Sequence, residues 1–170
     1  MNARKGPLRN ERPRSINSLI KHLGGILAIA VTLATVSITP LFGQAKEKSL
    51  YVRLGEKKSI TAVVDEFVAR CAADKRINTF FGPTASDPAR LKKFKGNLVD
   101  QICEASGGPC KYTGKDMKTA HAGLGVSGAD FDALVEDLVG ALDKFKVGAH
   151  EKDQLLAVLG PMKTDIVEKK

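Results

Sequence analysis

His121 is the side chain with the plainest capacity for chemistry in this sequence. It stands in KYTGKDMKTAHAGLG, residues 111–125, with Met117 four positions before it and Leu124 three after. On a helix those offsets share one side, so the imidazole is expected to face inward among apolar neighbours. Past residue 45 the chain holds only one other histidine, His150. That removes multi-histidine zinc and di-iron sites from consideration. Two readings remain. In one, His121 is an ordinary core histidine whose nitrogens are satisfied by backbone groups. In the other, it is the single axial ligand of a cofactor that brings its remaining ligands with it. A porphyrin does this, supplying four nitrogens and asking the protein for one. The sequence contains no C-x-x-C-H, so c-type covalent attachment of a haem is excluded.

The cysteines are the second group with chemical potential. Cys103 and Cys110 lie on either side of Gly107-Gly108, where the chain is expected to reverse. In an oxidising compartment they can pair, and the short closed loop limits the stabilisation to about 2–3 kcal/mol. Left reduced, they are two thiols, one of them buried. Cys71 falls on the apolar side of a helical pattern and reads as a small buried hydrophobe.

The 170 residues carry a formal charge of +8, unevenly spread: residues 1–45 hold six basic side chains against one acid. No aromatic residues interleave with basic ones to make a base-stacking platform, so the charge does not point to a nucleic-acid partner. The N-terminus explains it otherwise. A basic stretch ending at Lys21 leads into HLGGILAIAVTLATVSITPLF, then into Gly43-Gln44-Ala45, with small residues where signal peptidase reads. This is the order of a secretory signal. Cleavage is expected after Ala45, leaving one domain over residues 46–170 in a bacterial periplasm. The alternative is an uncleaved anchor over residues 23–42, although Gly24, Gly25 and Pro40 interrupt that run. No twin-arginine pair is present, so general secretion is the expected route.

The elements that must position His121 read as helices. Ile60, Val63, Val64, Phe67 and Cys71 recur at helical spacing, with Ser59 as the expected N-cap. Asp87-Pro88 opens a helix that carries Leu91, Phe94, Leu98, Gln101 and Ile102 on one side and ends at Gly107-Gly108-Pro109. Thr113-Gly114-Lys115-Asp116 resembles a capping box opening a short helix with Met117 and His121, which Gly123 and Gly125 stop. Ser127-Gly128-Ala129-Asp130 opens another, with Phe131, Leu134, Val135, Leu138, Val139 and Leu142 as its apolar stripe. A last helix is expected to bend near Pro161. There is no convincing period-2 strand and no internal repeat, so the class is all-α with one core.

The pieces, taken in order, resemble the group 1 truncated haemoglobins over almost all of residues 49–168. SLYVRLG resembles the family's short first helix, and VVDEFVAR with AADKRINTFFG its second helix and Phe-Phe corner. GGPCKYTGKDMKTAHAGLGV resembles the glycine hinge, haem-side loop and proximal helix, and is the most specific match. DFDALVEDLVGALDKFKV and QLLAVLGPMKTDIV resemble the last two long helices.

The resemblance implies a two-over-two globin sandwich of helices holding non-covalent haem b. His121 would bind iron through Nε2, and its other ring N–H would donate to a backbone carbonyl one turn earlier, that of Met117. Phe81 would stack on the haem with Phe80 packing its edge, unless both are ordinary core aromatics. Tyr112, Lys115 and Lys118 would meet the propionates, unless the lysines are simply solvated. On the distal side the chain departs from the family. Val68 stands where many members carry tyrosine, and Phe94 and Leu98 stand where many carry glutamine. Gln101 is then the nearest polar group and the expected hydrogen-bond donor to bound gas, with Asn97 a weaker one. Function follows as reversible binding of oxygen, nitric oxide or carbon monoxide. The alternative is oxidation of nitric oxide to nitrate, which requires a separate electron-donor reductase because the chain shows no flavin or nicotinamide motif. A third reading, a helical interaction module without haem, predicts no chromophore and tolerance of His121→Ala.

Overall fold

Ser49 opens the first helix, α1 (Leu50–Arg53), by accepting from the Val52 N–H at 3.4 Å. These features come from a computed structural model that describes residues 47–169; the expected signal segment and its cleavage point lie outside that range. Gly55 then turns the chain in the left-handed region, and α2 (Glu56–Ala73) begins at once. Ser59, the cap expected from sequence, lies exposed inside that helix. The early N–H of Lys57 finds its acceptor elsewhere, donating to the Tyr51 hydroxyl at 3.2 Å. The cap therefore comes from α1, which periodicity within α2 cannot reveal.

A 3₁₀ turn (Asn78–Phe80) and α3 (Gly82–Ala85) lead to α4 (Pro88–Ala105). Asp87 caps α4 as expected, accepting from the N–H groups of Ala89 and Arg90 at 2.9 and 3.1 Å. The next helix, α5, is short (Met117–His121), and it opens on Asp116 rather than on Thr113. Asp116 accepts from the Thr119 N–H at 2.9 Å. The reciprocal cap of Ser127 and Asp130 opens α6 (Gly128–Lys144) as expected. The last expected helix breaks where Gly160-Pro161 demands it, into α7 (Ala149–Leu159), a 3₁₀ turn (Gly160–Met162) and α8 (Lys163–Ile166).

Ion pairs mark the directions. Lys57–Asp100 and Lys95–Asp65, both at 2.9 Å, bridge α2 and α4, which run antiparallel. Lys163–Asp132 and Lys152–Asp143 do the same for α6 and the α7–α8 run. The two pairs meet where α2 crosses α6, giving the expected two-over-two all-α sandwich. Val64, Cys71, Ala141, Leu142 and Leu155 are almost wholly buried at its centre. Among the described residues there is no strand, and no helix is long and apolar enough to cross a membrane.

Candidate functional site

His121 is the last residue of α5. Its Nδ1 lies 2.7 Å from the Met117 carbonyl oxygen, one turn back. A carbonyl can only accept, so Nδ1 carries a proton, and in the neutral imidazole Nε2 keeps its lone pair. Sequence offsets placed Leu124 beside it, but Leu124 is 47% exposed. The helix has ended by then, because Ala122 already adopts an extended conformation (ψ 125°), and helical spacing no longer applies. The other histidine, His150, sits exposed in the first turn of α7.

The side chains expected near His121 belong to two apolar clusters. The large core carries Phe80, Phe81, Leu91, Phe94 and Leu98 on its margin. A smaller cluster of Val126, Phe131 and Ile166 carries Phe80, Met117, Val135 and Met162. Phe80 touches both. Helix α4 packs on α2 and α3, and α5 packs on α8; Gln101 of α4 reaches Met117 of α5. Phe80, Phe81, Phe94, Leu98, Met117 and His121 itself are only half-buried. Phe81 and Phe94 meet at a tilt, centroids 6.0 Å apart at 55°. Large apolar side chains left half-covered suit a flat apolar partner. Among the described residues no group of three or more His, Cys, Asp or Glu is placed to hold a bare metal ion. One imidazole with Nε2 available thus fits a cofactor that supplies its own equatorial ligands, which is what a haem does.

Three of the positions expected on the distal side are apolar. Val68 is buried in α2, and Phe94 and Leu98 line the inner side of α4. Gln101, the expected donor to bound gas, directs its amide Nε2 at the sulfurs of Met162 and Met117, at 3.2 and 3.5 Å. Asn97 is half-buried on α4.

The loop between α4 and α5 is tied down twice. Cys103 and Cys110 are joined by a disulfide, with Cα atoms 5.7 Å apart. Glu104 accepts from the Tyr112 N–H at 2.9 Å and from Lys111 at 3.0 Å, and these bonds, the Tyr112 N–H first, hold its carboxyl below the usual range. The hydroxyl of Tyr112 donates to the Lys115 carbonyl at 2.6 Å. Its ring covers Gly114, where a Cβ would collide with it. Burial, and then the Asp116 carboxylate, push the Tyr112 hydroxyl pKa up. Tyr112 is therefore occupied in shaping the loop, while Lys115 and Lys118 project into solvent. Cys71 is a free thiol buried against Asp137, and burial pushes its pKa far up.

One contact had no signal in the sequence. Glu168, beyond α8, accepts from the backbone N–H groups of Gly123 and Gly125 at 2.7 and 2.6 Å. Those two bonds hold its carboxyl below the usual range. A glutamate more than forty residues from its partners, near a polar chain end, carries no local mark of such a role.

Comparison with known proteins agrees with this geometry. Residues 49–168 match the family model described as bacterial-like globin. A group 1 truncated haemoglobin of Mycolicibacterium paratuberculosis is 30% identical over 131 residues, 77% of this chain and 93% of that protein. The crystal structure of truncated haemoglobin from Tetrahymena pyriformis in its Fe(III) form superposes with a TM-score of 0.64 at 26% identity, covering 72% of this chain and all of the other. The 2/2 haemoglobin from Synechococcus sp. PCC 7002, solved in the cyanomet state with covalently attached haem, gives the same TM-score and coverage at 29% identity. The chain belongs to the bacterial-like globin family, as a truncated haemoglobin that binds haem and, through it, gases.

Proposed function

We propose that this domain holds haem b non-covalently on His121 Nε2 and binds oxygen reversibly, with nitric oxide and carbon monoxide as competing ligands. The observation that supports this most is the 2.7 Å bond from His121 Nδ1 to the Met117 carbonyl. It fixes the tautomer and the ring plane, and it leaves the basic nitrogen of the imidazole for a metal. When bound, the cofactor would supply an iron able to take a diatomic gas. Phe81 and Phe80 would cover the ring, and Val68, Phe94 and Leu98 would form an apolar distal wall. Addition of hemin to the protein tests the reading. A sharp Soret band that moves under carbon monoxide after reduction, and that is lost in His121→Ala, is the expected result. A folded protein that stays colourless with hemin would overturn it.

The same reading makes the domain an exported one. The order of basic, apolar and small residues before Lys46 supports export, as does a disulfide, which persists in oxidising compartments. An intact mass of the secreted protein checks both. It should begin at Lys46 and lack two hydrogens relative to the fully reduced chain; retention of residues 1–45 would refute cleavage.

A further inference from the structure

The turn after His121 is gripped by residues from the far end of the chain. Gly123 and Gly125 both adopt positive φ, +78° and +67°. Their N–H groups donate to the two oxygens of Glu168, Gly123 to Oε1 at 2.7 Å and Gly125 to Oε2 at 2.6 Å. The backbone of the tail adds a second set. The N–H groups of Glu168 and Lys169 both donate to the Val126 carbonyl, at 2.9 and 3.1 Å. The Lys169 side chain lies over Gly125, where a Cβ would stand 2.9 Å from its Cε. Four backbone-directed hydrogen bonds thus join residues 168–169 to residues 123–126.

Helix α5 needs such support. Five residues make little more than one turn, and an isolated helix of that length does not hold itself together in water. Asp116 caps its start. Its end is His121, followed by an extended Ala122 and the two glycines, a stretch with little stiffness of its own. A carboxylate that accepts from two backbone N–H groups makes charge-assisted bonds, stronger than neutral ones, and it spans the flexible stretch from both sides.

We propose that Glu168 is a positioning residue for His121, fixing the tilt of the imidazole by clamping the turn that ends α5. The proposal rests on His121 being the iron ligand. Glu168→Gln keeps the length of the side chain but replaces one acceptor with a donor that faces an N–H. Glu168→Ala removes both acceptors. Neither touches the apolar core, since Glu168 is exposed.

The test uses the full chain loaded with haem and, separately, the haem-free chain. Three quantities are read: the iron–histidine stretching band in the resonance Raman spectrum of the reduced protein, the rate of haem transfer to excess apomyoglobin, and amide exchange at Gly123 and Gly125 without haem. In both variants the stretching band should shift or broaden, and haem loss should quicken by about tenfold, the lower end of what losing a support of a metal ligand costs. Protection at the two glycine amides should fall. Wild-type Raman band and haem-loss rate in Glu168→Ala would overturn the proposal while leaving the haem reading intact. Unchanged glycine protection would overturn it too, by showing that no clamp exists. A wild-type chain that takes up no haem at all overturns the haem reading, and the proposal falls with it.

Discussion

The carbonyl of Met117 decides which nitrogen of His121 is left to act as a base. That choice rests on one bond of 2.7 Å within a single turn, and it was readable in advance because an i−4 carbonyl always stands beneath a helical side chain of suitable reach. The distal residues follow different logic. Val68, Phe94 and Leu98 offer no hydrogen-bond donor, and Gln101 has turned its amide to Met117 and Met162. On the proposed haem reading, and as long as Gln101 keeps those contacts, a bound oxygen that carries partial negative charge lacks a partner. Leu98→Gln should supply one and slow oxygen dissociation by several-fold up to about tenfold, as a net hydrogen bond of about 1 kcal/mol implies. Gln101→Leu should leave the same rate unchanged. Stopped-flow measurement of oxygen release reads both, and a clear acceleration in Gln101→Leu would restore Gln101 to the distal side. The sequence identified the types of these residues well. It did not give the direction of a long amide side chain with methionine sulfurs within reach, because that depends on Met162 in the 3₁₀ turn before α8, about sixty residues further on.

Helix boundaries show the same divide between local and distant causes. Asp87, and Ser127 with Asp130, cap their helices as expected, since each cap lies within three residues of the N–H groups it satisfies. The start of α2 was misplaced because its acceptor is the Tyr51 hydroxyl, a side chain of another helix. Leu124 was misplaced because a three-residue offset was carried past the end of α5. At Gly96 the difference is one of propensity. It lies within α4, and a Cβ built there meets nothing within 4 Å. It borders an open groove of about 530 Å³ along the seam of α2 and α4, floored by Val64, Leu91 and Val99. Packing thus gives no reason for glycine, and its backbone freedom weakens the helix. Gly96→Ala should stabilise the domain by about 0.5–1 kcal/mol, seen as a melting point a few degrees higher. A lower melting point would mean that the groove must stay open for a reason the isolated chain does not show.

Across the whole molecule, the fold was legible because its helices are strongly patterned and its connections short. The tertiary ties that complete the site were less so. The disulfide joins the end of α4 to the loop that leads into α5, so it braces the chain before α5, and Glu168 braces the turn after it. Reduction should lower the stability of the haem-free domain by about 2–3 kcal/mol, or about 10 °C in melting temperature. The double variant Cys103→Ala, Cys110→Ala should melt at that lower temperature with or without reductant; a variant as stable as the oxidised protein would show that the bridge adds nothing. The third cysteine gives this arrangement a kinetic side. Three thiols allow three pairings, and two of them would draw Cys71 out of the α2–α6 interface, where it is 1% exposed. The native partners are seven residues apart, whereas either wrong partner closes a loop over four times as long. Chain entropy alone therefore favours the native pair by about 1 kcal/mol in the unfolded chain. Once α2 and α6 dock, the odd thiol is sequestered. An oxidant arriving early meets the right pair more often, and one arriving late finds no competitor, so both routes favour the native pairing.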